Sequence, residues 1–87
     1  MTITQIIGDN IRGYRSIRGW SQSRLAEEAK LHPNYIGYVE RGERHVTVYK
    51  LADIAKVLRV KTYLFLIEGS YKLSATELNN ALLIDEK

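Results

Sequence analysis

The stretch LAEEAKLHPNYIGYVERGERHVTV, from Leu25 to Val48, decides how the rest of the chain folds. Two segments with the apolar spacing of helices flank a short break at Lys30–His32. Pro33 suits the first turn of the helix after the break, because the N–H that proline lacks would be unpaired there. A connection this short makes two helices cross steeply. The stretch therefore predicts two crossed helices, the second of which projects from the body of the protein.

This second helix has an outward face that no core requires. Ile36 and Val39 are its buried pair, and other positions fall on the opposite side of a 3.6-residue wheel. The major groove of B-DNA is wide enough to accept such a helix, so these side chains would meet base edges. The outward residues are Pro33, Asn34, Gly37, Tyr38 and Arg41, with Tyr35 at the flank.

Helical patterns continue on both sides of this pair. Thr2 and Gln5 form a capping box before a first helix that ends at Gly19. Ser21 and Thr47 are caps for the second and fourth helices, and Gly42 lies where a left-handed C-terminal cap is wanted. The buried stripes are Ile7, Ile11 and Tyr14 in the first helix, Leu25, Ala26 and Ala29 in the second, and Leu51, Ile54, Ala55 and Leu58 in the fourth.

The last part of the chain adds a short fifth helix, KTYLFLIEG, which ends at Gly69. Ser74 and Glu77 form another capping box before Leu78, Leu82 and Leu83, so the extension is a candidate for one more short helix. The prediction is an all-α fold with five helices. One domain covers residues 1–69, and a C-terminal extension covers residues 70–87.

Composition and charge narrow the class of protein. The 87 residues suffice for one core, and the absence of cysteine excludes disulfides and suits a reducing cytoplasm. No apolar run approaches the roughly 18 residues of a membrane span, and the N-terminus lacks a signal-peptide pattern, so we expect no membrane partner. Residues 12–61 contain 11 basic and five acidic side chains, a net charge of +6. This excess suggests a polyanion-binding surface, although many proteins without anionic partners show a similar asymmetry.

The segment SQSRLAEEAKLHPNYIGYVERGERHVTVYKLADIAKVL resembles the Cro/C1-type (XRE) helix-turn-helix family. ERGERHVTV and the small size look most like controller proteins of restriction–modification systems, with small phage-type repressors and biofilm or sporulation regulators as close alternatives. The resemblance implies a lambda-repressor-like domain that binds double-stranded DNA in a prokaryotic or phage-infected cytoplasm, in association with the nucleoid. The residues that match the family pattern are Gln22, Leu25, Ala26, Tyr35, Ile36, Glu40, Arg41 and Gly42.

The outward face and the resemblance together assign a set of site residues. The expected base contacts are Pro33, Asn34 and Tyr38. The resemblance also implies a partly buried structural ion pair between Arg15 and Glu40. The expected contacts to the DNA backbone are Ser21, Gln22, Arg24, Tyr35, Arg41, Arg44 and His45.

Several assignments have a simpler alternative. Asn34 reads adenine, or it is an ordinary residue of a first helical turn; Tyr38 contacts DNA, or it is an ordinary exposed aromatic residue. Gly37 leaves space either for a neighbouring backbone or for DNA. Lys30 stands where the family usually has glycine, and a left-handed lysine adds strain of about 1 kcal/mol or more. Pro33 offers DNA only apolar contact, which shifts the reading of sequence to Asn34 and Tyr38.

Function is predicted as sequence-specific transcriptional regulation, by a homodimer on a palindromic or pseudopalindromic operator. The alternative is a protein-interaction module, such as an antitoxin or anti-repressor, in which exposed tyrosines anchor the partner. Enzymatic activity is not expected, because the sequence lacks a phosphate-binding loop and a nucleophile with a nearby base. No catalytic residue or cofactor is expected. A metal site is not expected either, since His32 is the only histidine partner for His45 and the chain has no cysteine.

The fifth helix is the expected dimer interface. Leu64 and one neighbour suffice for the monomer core, so the other apolar side chains would form an association surface. A C-terminal tail that folds back over them is the alternative. RNA polymerase and a regulatory protein are further candidate partners. The expected interface residues are Tyr63, Phe65, Leu66 and Ile67.

Overall fold

The computed structural model describes residues 1–74 and 76–77, which form four α-helices followed by two 3₁₀ segments. No strand occurs in these residues, so the predicted all-α class is confirmed. No helix among them is long and apolar enough to cross a lipid bilayer. The elements are α1 (Ile3–Ile17), α2 (Gln22–Ala29), α3 (Pro33–Glu40), α4 (Val48–Leu58) and the 3₁₀ segments Thr62–Leu66 and Ser70–Lys72.

The helix starts follow the predicted caps. The Thr2 hydroxyl accepts a hydrogen bond from the Gln5 N–H, and the Gln5 amide oxygen accepts one from the Thr2 N–H, which completes the capping box. Ser21 and Thr47 cap α2 and α4. Helix α3 has a cap that the sequence analysis missed: Nδ1 of His32 accepts a hydrogen bond of 3.0 Å from the Asn34 N–H.

One hydrophobic core unites the helices. All the predicted inward residues of α2, α3 and α4 are buried, while Ile7 and Tyr14 of α1 pack against the cluster from its edge. The core members are Ile11, Leu25, Ala26, Ala29, Ile36, Val39, Leu51, Ile54, Ala55, Leu58 and Phe65.

The fifth helix occupies its predicted place but has 3₁₀ rather than α geometry over Thr62–Leu66. At the end of this segment the buried Asn10 side chain takes up backbone acceptors, because its amide nitrogen donates to the carbonyl oxygens of Phe65 and Ile67 at 2.9 and 2.8 Å. Those carbonyl groups therefore bind α1 instead of continuing a helical ladder. The Ser70 hydroxyl extends this polar network, donating to the Leu64 carbonyl at 2.6 Å.

The second 3₁₀ segment belongs to the same packed unit. Ser70 is buried, and the Tyr71 ring covers Gly13 so closely that a Cβ added there would lie 2.3 Å from the ring. The expected domain boundary at Gly69 therefore falls inside packed structure. The Ser74–Glu77 capping box is present, with two hydrogen bonds of 3.2 Å. The helix expected through Leu78, Leu82 and Leu83 lies outside the described residues.

One expected interface residue was wrong. Phe65 is fully buried in the core of a single chain, with its ring edge-on to Tyr14 at a centroid distance of 5.7 Å. It takes the core position that the sequence analysis gave to Leu64, which is only partly buried. A 3₁₀ segment turns through 120° per residue, so one side chain in three faces inward. Tyr63 and Leu66 remain about half exposed, at 47% and 48%, and Ile67 is partly buried.

Lys30 ends α2 in the left-handed conformation, with φ of 59°. A lysine side chain in this region clashes with its own backbone, and glycine does not. We expect Lys30→Gly to raise the free energy of unfolding by about 0.5–1 kcal/mol, because relief of strain outweighs the added freedom of the unfolded chain. Urea denaturation measures the change. Lys56→Gly inside α4 is the control and is expected to lose about 1 kcal/mol. A lower stability for Lys30→Gly would contradict the strain.

Candidate nucleic-acid interface

The outward face of α3 is solvent-exposed except at Gly37, which the wheel placed outward but which the Arg41 and Gln22 side chains cover. Pro33, Asn34 and Tyr38 are exposed, whereas Ile36 and Val39 on the other side are buried. The face contains a polar hollow of about 180 Å³. The three expected base contacts thus share one surface, and their contact with DNA stays a prediction. The residues that line the hollow are Gln22, Pro33, Asn34, Gly37, Tyr38 and Arg41.

A buried ion pair holds α3 in place. The Arg15 guanidinium donates to both oxygens of the Glu40 carboxylate, at 2.6 and 2.9 Å, and its third nitrogen donates to the Trp20 carbonyl oxygen at 2.8 Å. The Glu40 side chain is only 2% exposed and that of Arg15 14%. Gln22 at the start of α2 adds a hydrogen bond of 3.0 Å to the same carboxylate. The Glu40 carboxylate therefore links three helices from a buried position.

Two arginines lie over the Tyr38 ring. The guanidinium carbons of Arg41 and Arg44 are 5.2 and 5.1 Å from the ring centroid. Nε of Arg41 also donates to the Glu43 carboxylate at 3.1 Å. The face of an aromatic ring attracts a guanidinium group at such distances, also where both side chains are exposed to water. The result is a positive cluster beside the hollow, carried by side chains that remain exposed.

Tyr35 lies at the flank of α3 and is partly buried. Burial raises the pKa of Tyr35 above its ordinary value, and the positive charge of Arg44 offsets part of the rise. The hydroxyl is therefore neutral at pH 7 and retains its proton for donation to an oxygen such as that of a phosphate. The Lys50 ammonium lies 4.6 Å from the centre of this ring, which adds a further cation at the flank.

The other residues expected to contact the DNA backbone, Ser21, Arg24 and His45, lie outside the hollow. The Ser21 hydroxyl accepts the Arg24 N–H as a helix cap. The Arg24 guanidinium lies 4.7 Å over the Trp20 ring and binds Glu28 at 3.1 Å. His45 does not join the hollow, since its Nδ1 is 3.0 Å from the Thr4 hydroxyl at the start of α1.

Two residues of this surface were missed from sequence. Lys50 lies 15 positions after Tyr35, and nothing in the local pattern indicates that α4 brings its ammonium onto that ring. Glu43, which holds Arg41, had a detectable signal, because opposite charges two residues apart in ERGERH suggest a local pair. Neither residue alters the assignment of α3 as the projecting helix.

Comparison with known proteins settles the family. Residues 11–65 match the helix-turn-helix family HTH_3. The chain belongs to this family. The predicted Cro/C1-type resemblance is thereby confirmed, and the helix-turn-helix corresponds to α2, the Lys30–His32 turn and α3. HTH_3 members are DNA-binding regulators.

Among its helix-turn-helix relatives are restriction–modification controllers. Control protein C.SmaI of Serratia marcescens is 50% identical over 58 residues, which cover 67% of this chain and 69% of that protein. The crystal structure of controller protein C.AhdI from Aeromonas hydrophila is similar with a TM-score of 0.69 and 31% identity, covering 74% of this chain and 96% of that one. SinR, a master regulator for biofilm formation solved in complex with DNA, has a TM-score of 0.68 and 32% identity, with coverages of 70% and 98%.

Removal of the Glu40 charge tests how α3 is held. In Glu40→Gln the buried Arg15 guanidinium loses its counter-charge, so we expect the free energy of unfolding to fall by about 3 kcal/mol in urea denaturation. Asp9→Asn is the matched control, because Asp9 pairs with Arg12, whose side chain is 60% exposed. That change is expected to cost no more than about 0.5 kcal/mol. Equal effects of the two substitutions would show that Glu40 does not anchor the helix.

Proposed function

We propose that this helix-turn-helix protein is a sequence-specific transcriptional regulator that binds double-stranded DNA as a homodimer on a pseudopalindromic operator. The observation that carries the proposal is the exposed polar face of α3 with cations on its borders. Asn34 and Tyr38 are exposed on it, while Arg44 and Lys50 lie beside its tyrosine rings. A helix that projects polar side chains among cations matches the major groove and its flanking phosphates.

Within this proposal the surface divides into readers and anchors. Asn34 and Tyr38 contact base edges, and Pro33 contacts a thymine methyl group or another apolar edge. The Tyr35 hydroxyl and the cations around α3 hold phosphates, which fixes the register of the helix without reading sequence. The proposed phosphate contacts are Ser21, Gln22, Arg24, Tyr35, Arg44 and His45, with the flanking cation Lys50.

Substitution of a reader and an anchor distinguishes these roles. Asn34→Ala is expected to weaken binding to the preferred operator by about 1–3 kcal/mol and to relax base preference, with little change on random duplex. Arg44→Ala is expected to weaken binding to both duplexes alike and to lower the salt slope by about one. Electrophoretic shifts at several salt concentrations provide both values. If the two variants behave alike on both duplexes, this division of roles is wrong.

The same titration tests the broader proposal. Binding of DNA must weaken steeply with salt, because counterions leave the phosphates that the protein neutralises. A protein that binds no duplex at low salt would instead favour the interaction-module alternative, in which Tyr38 anchors a protein partner. RNA polymerase remains a candidate partner of the DNA-bound regulator, in the cytoplasm at the nucleoid.

The homodimer follows from the limited reach of one recognition helix. A single α3 contacts only a few base pairs, too few to select one site in a genome. Two copies on a two-fold axis read half-sites about one DNA turn apart. Tyr63 and Leu66 support the position of the interface, because both expose apolar surface on a segment that Asn10 fastens rigidly to α1.

Sedimentation equilibrium without DNA tests the dimer. Leu66→Glu is expected to shift the dissociation constant upward at least about tenfold, because a carboxylate would be desolvated in the interface. Ile3→Glu, at a similarly exposed apolar residue on α1, is the control and should leave the dimer intact. A chain ending at Leu73 keeps Ser70 and Tyr71 and so preserves the packed unit. A monomeric full-length protein at micromolar concentration would refute the dimer, and a dimer lost only on truncation would place the interface in the extension.

A further inference from the structure

Arg41 differs from the other cations near α3, because three neighbours border its guanidinium. Nε donates to the Glu43 carboxylate at 3.1 Å. The Tyr38 ring supports the plane, with the guanidinium carbon 5.2 Å from its centroid. On the helix itself, Nη1 lies 3.1 Å from the point that a Cβ of residue 37 would occupy. Gly37 therefore supplies the space in which this end of the side chain lies.

The direction of the Arg41 side chain places its guanidinium nitrogens on the outward face of α3. Side chains in helices lean toward the N-terminus, so Arg41 at the end of α3 extends back along the helix. Its guanidinium lines the 180 Å³ hollow together with Asn34 and Gln22. Gln22 Oε1 also lies 3.6 Å from the same empty Cβ position at Gly37. The arginine therefore occupies the middle of the proposed base-reading surface and not its edge.

The chemistry of the group then selects its target. With Nε bound to Glu43, the two Nη nitrogens are the donors that face away from the pair. Two coplanar donors match the N7 and O6 acceptors that guanine presents in the major groove, and this is the commonest specific arginine contact with DNA. An arginine that is held in place before binding also loses less conformational entropy when the contact forms.

We infer that Arg41 reads a guanine in each half-site and that Gly37 is the positioning residue that admits its guanidinium. The inference rests on the proposed function and deepens it. It replaces the DNA-backbone contact that was predicted for Arg41 from its place in the basic stretch that follows the recognition helix. It also explains why the middle of a recognition helix carries a glycine, which costs about 1 kcal/mol of helix propensity relative to alanine.

The test begins with selection of bound sequences from a random duplex library by the full-length protein. Each position of the selected operator is then replaced in turn, and the affinity of Arg41→Ala, Arg41→Lys and Gly37→Ala is measured on every duplex. Arg41→Ala is expected to lose about 5- to 150-fold of discrimination at one guanine per half-site, and Arg41→Lys a smaller factor, because an ammonium group lacks the planar pair of donors. Arg41→Lys keeps its charge, so its affinity for random duplex should stay near that of the wild type. Gly37→Ala should weaken the same preference by a smaller factor, and urea denaturation confirms that it is folded.

Arg44→Ala is the matched control, because Arg44 lies over the same tyrosine ring at 5.1 Å but starts from the loop after α3. It is expected to reduce affinity for all duplexes while the guanine preference stays intact. An operator without guanine, or a guanine preference unchanged in Arg41→Ala, would overturn the inference while leaving the regulator intact. An unchanged preference in Gly37→Ala would remove the positioning role of Gly37. A wild-type protein that selects no sequence would overturn the proposed function itself.

Discussion

The buried carboxylate of Glu40 is the contact on which the arrangement of this protein depends. It receives Arg15 from α1 and Gln22 from α2, and it belongs to α3. Through Arg15 the same network reaches the carbonyl of Trp20 in the connection between α1 and α2. Buried polar networks of this kind add little net stability but strongly penalise other arrangements, because any displacement leaves a charge unpaired. The angle at which α3 projects follows from this constraint.

A second polar network acts in the same way at the other end of the core. Asn10 and Ser70 bind the carbonyl groups of Leu64, Phe65 and Ile67, so the last segment is held to α1 through its backbone as well as through the buried Phe65 ring. This leaves Tyr63 and Leu66 available for a partner while Phe65 completes the core. Helix α1 thus supports both α3, the helix proposed to face DNA, and the proposed dimer surface.

Two residues in and beside α3 lower the local stability of the backbone. Glycine at position 37 weakens the helix but leaves room for Arg41, and left-handed Lys30 strains the turn that sets the course of α3. Cations lie over the ring of Tyr35, which packs at the edge of the core, and over the exposed ring of Tyr38. Exposed Asn34 and Tyr38, in the middle of a small chain, belong to the surface that is proposed to bind DNA.

The sequence by itself determined the four α-helices, the caps of α1, α2 and α4 and the buried stripes, because these depend on the spacing and type of neighbouring residues. It also indicated α3 as the projecting helix and paired Arg15 with Glu40 by family resemblance. Tertiary structure alone decided that Phe65 rather than Leu64 enters the core and that Thr62–Leu66 is 3₁₀, in a segment whose backbone binds Asn10, more than fifty residues earlier. It likewise placed Lys50 on Tyr35 and turned Arg41 back toward Gly37. Such contacts join residues through the packing of whole helices, and no local pattern of the chain encodes that geometry.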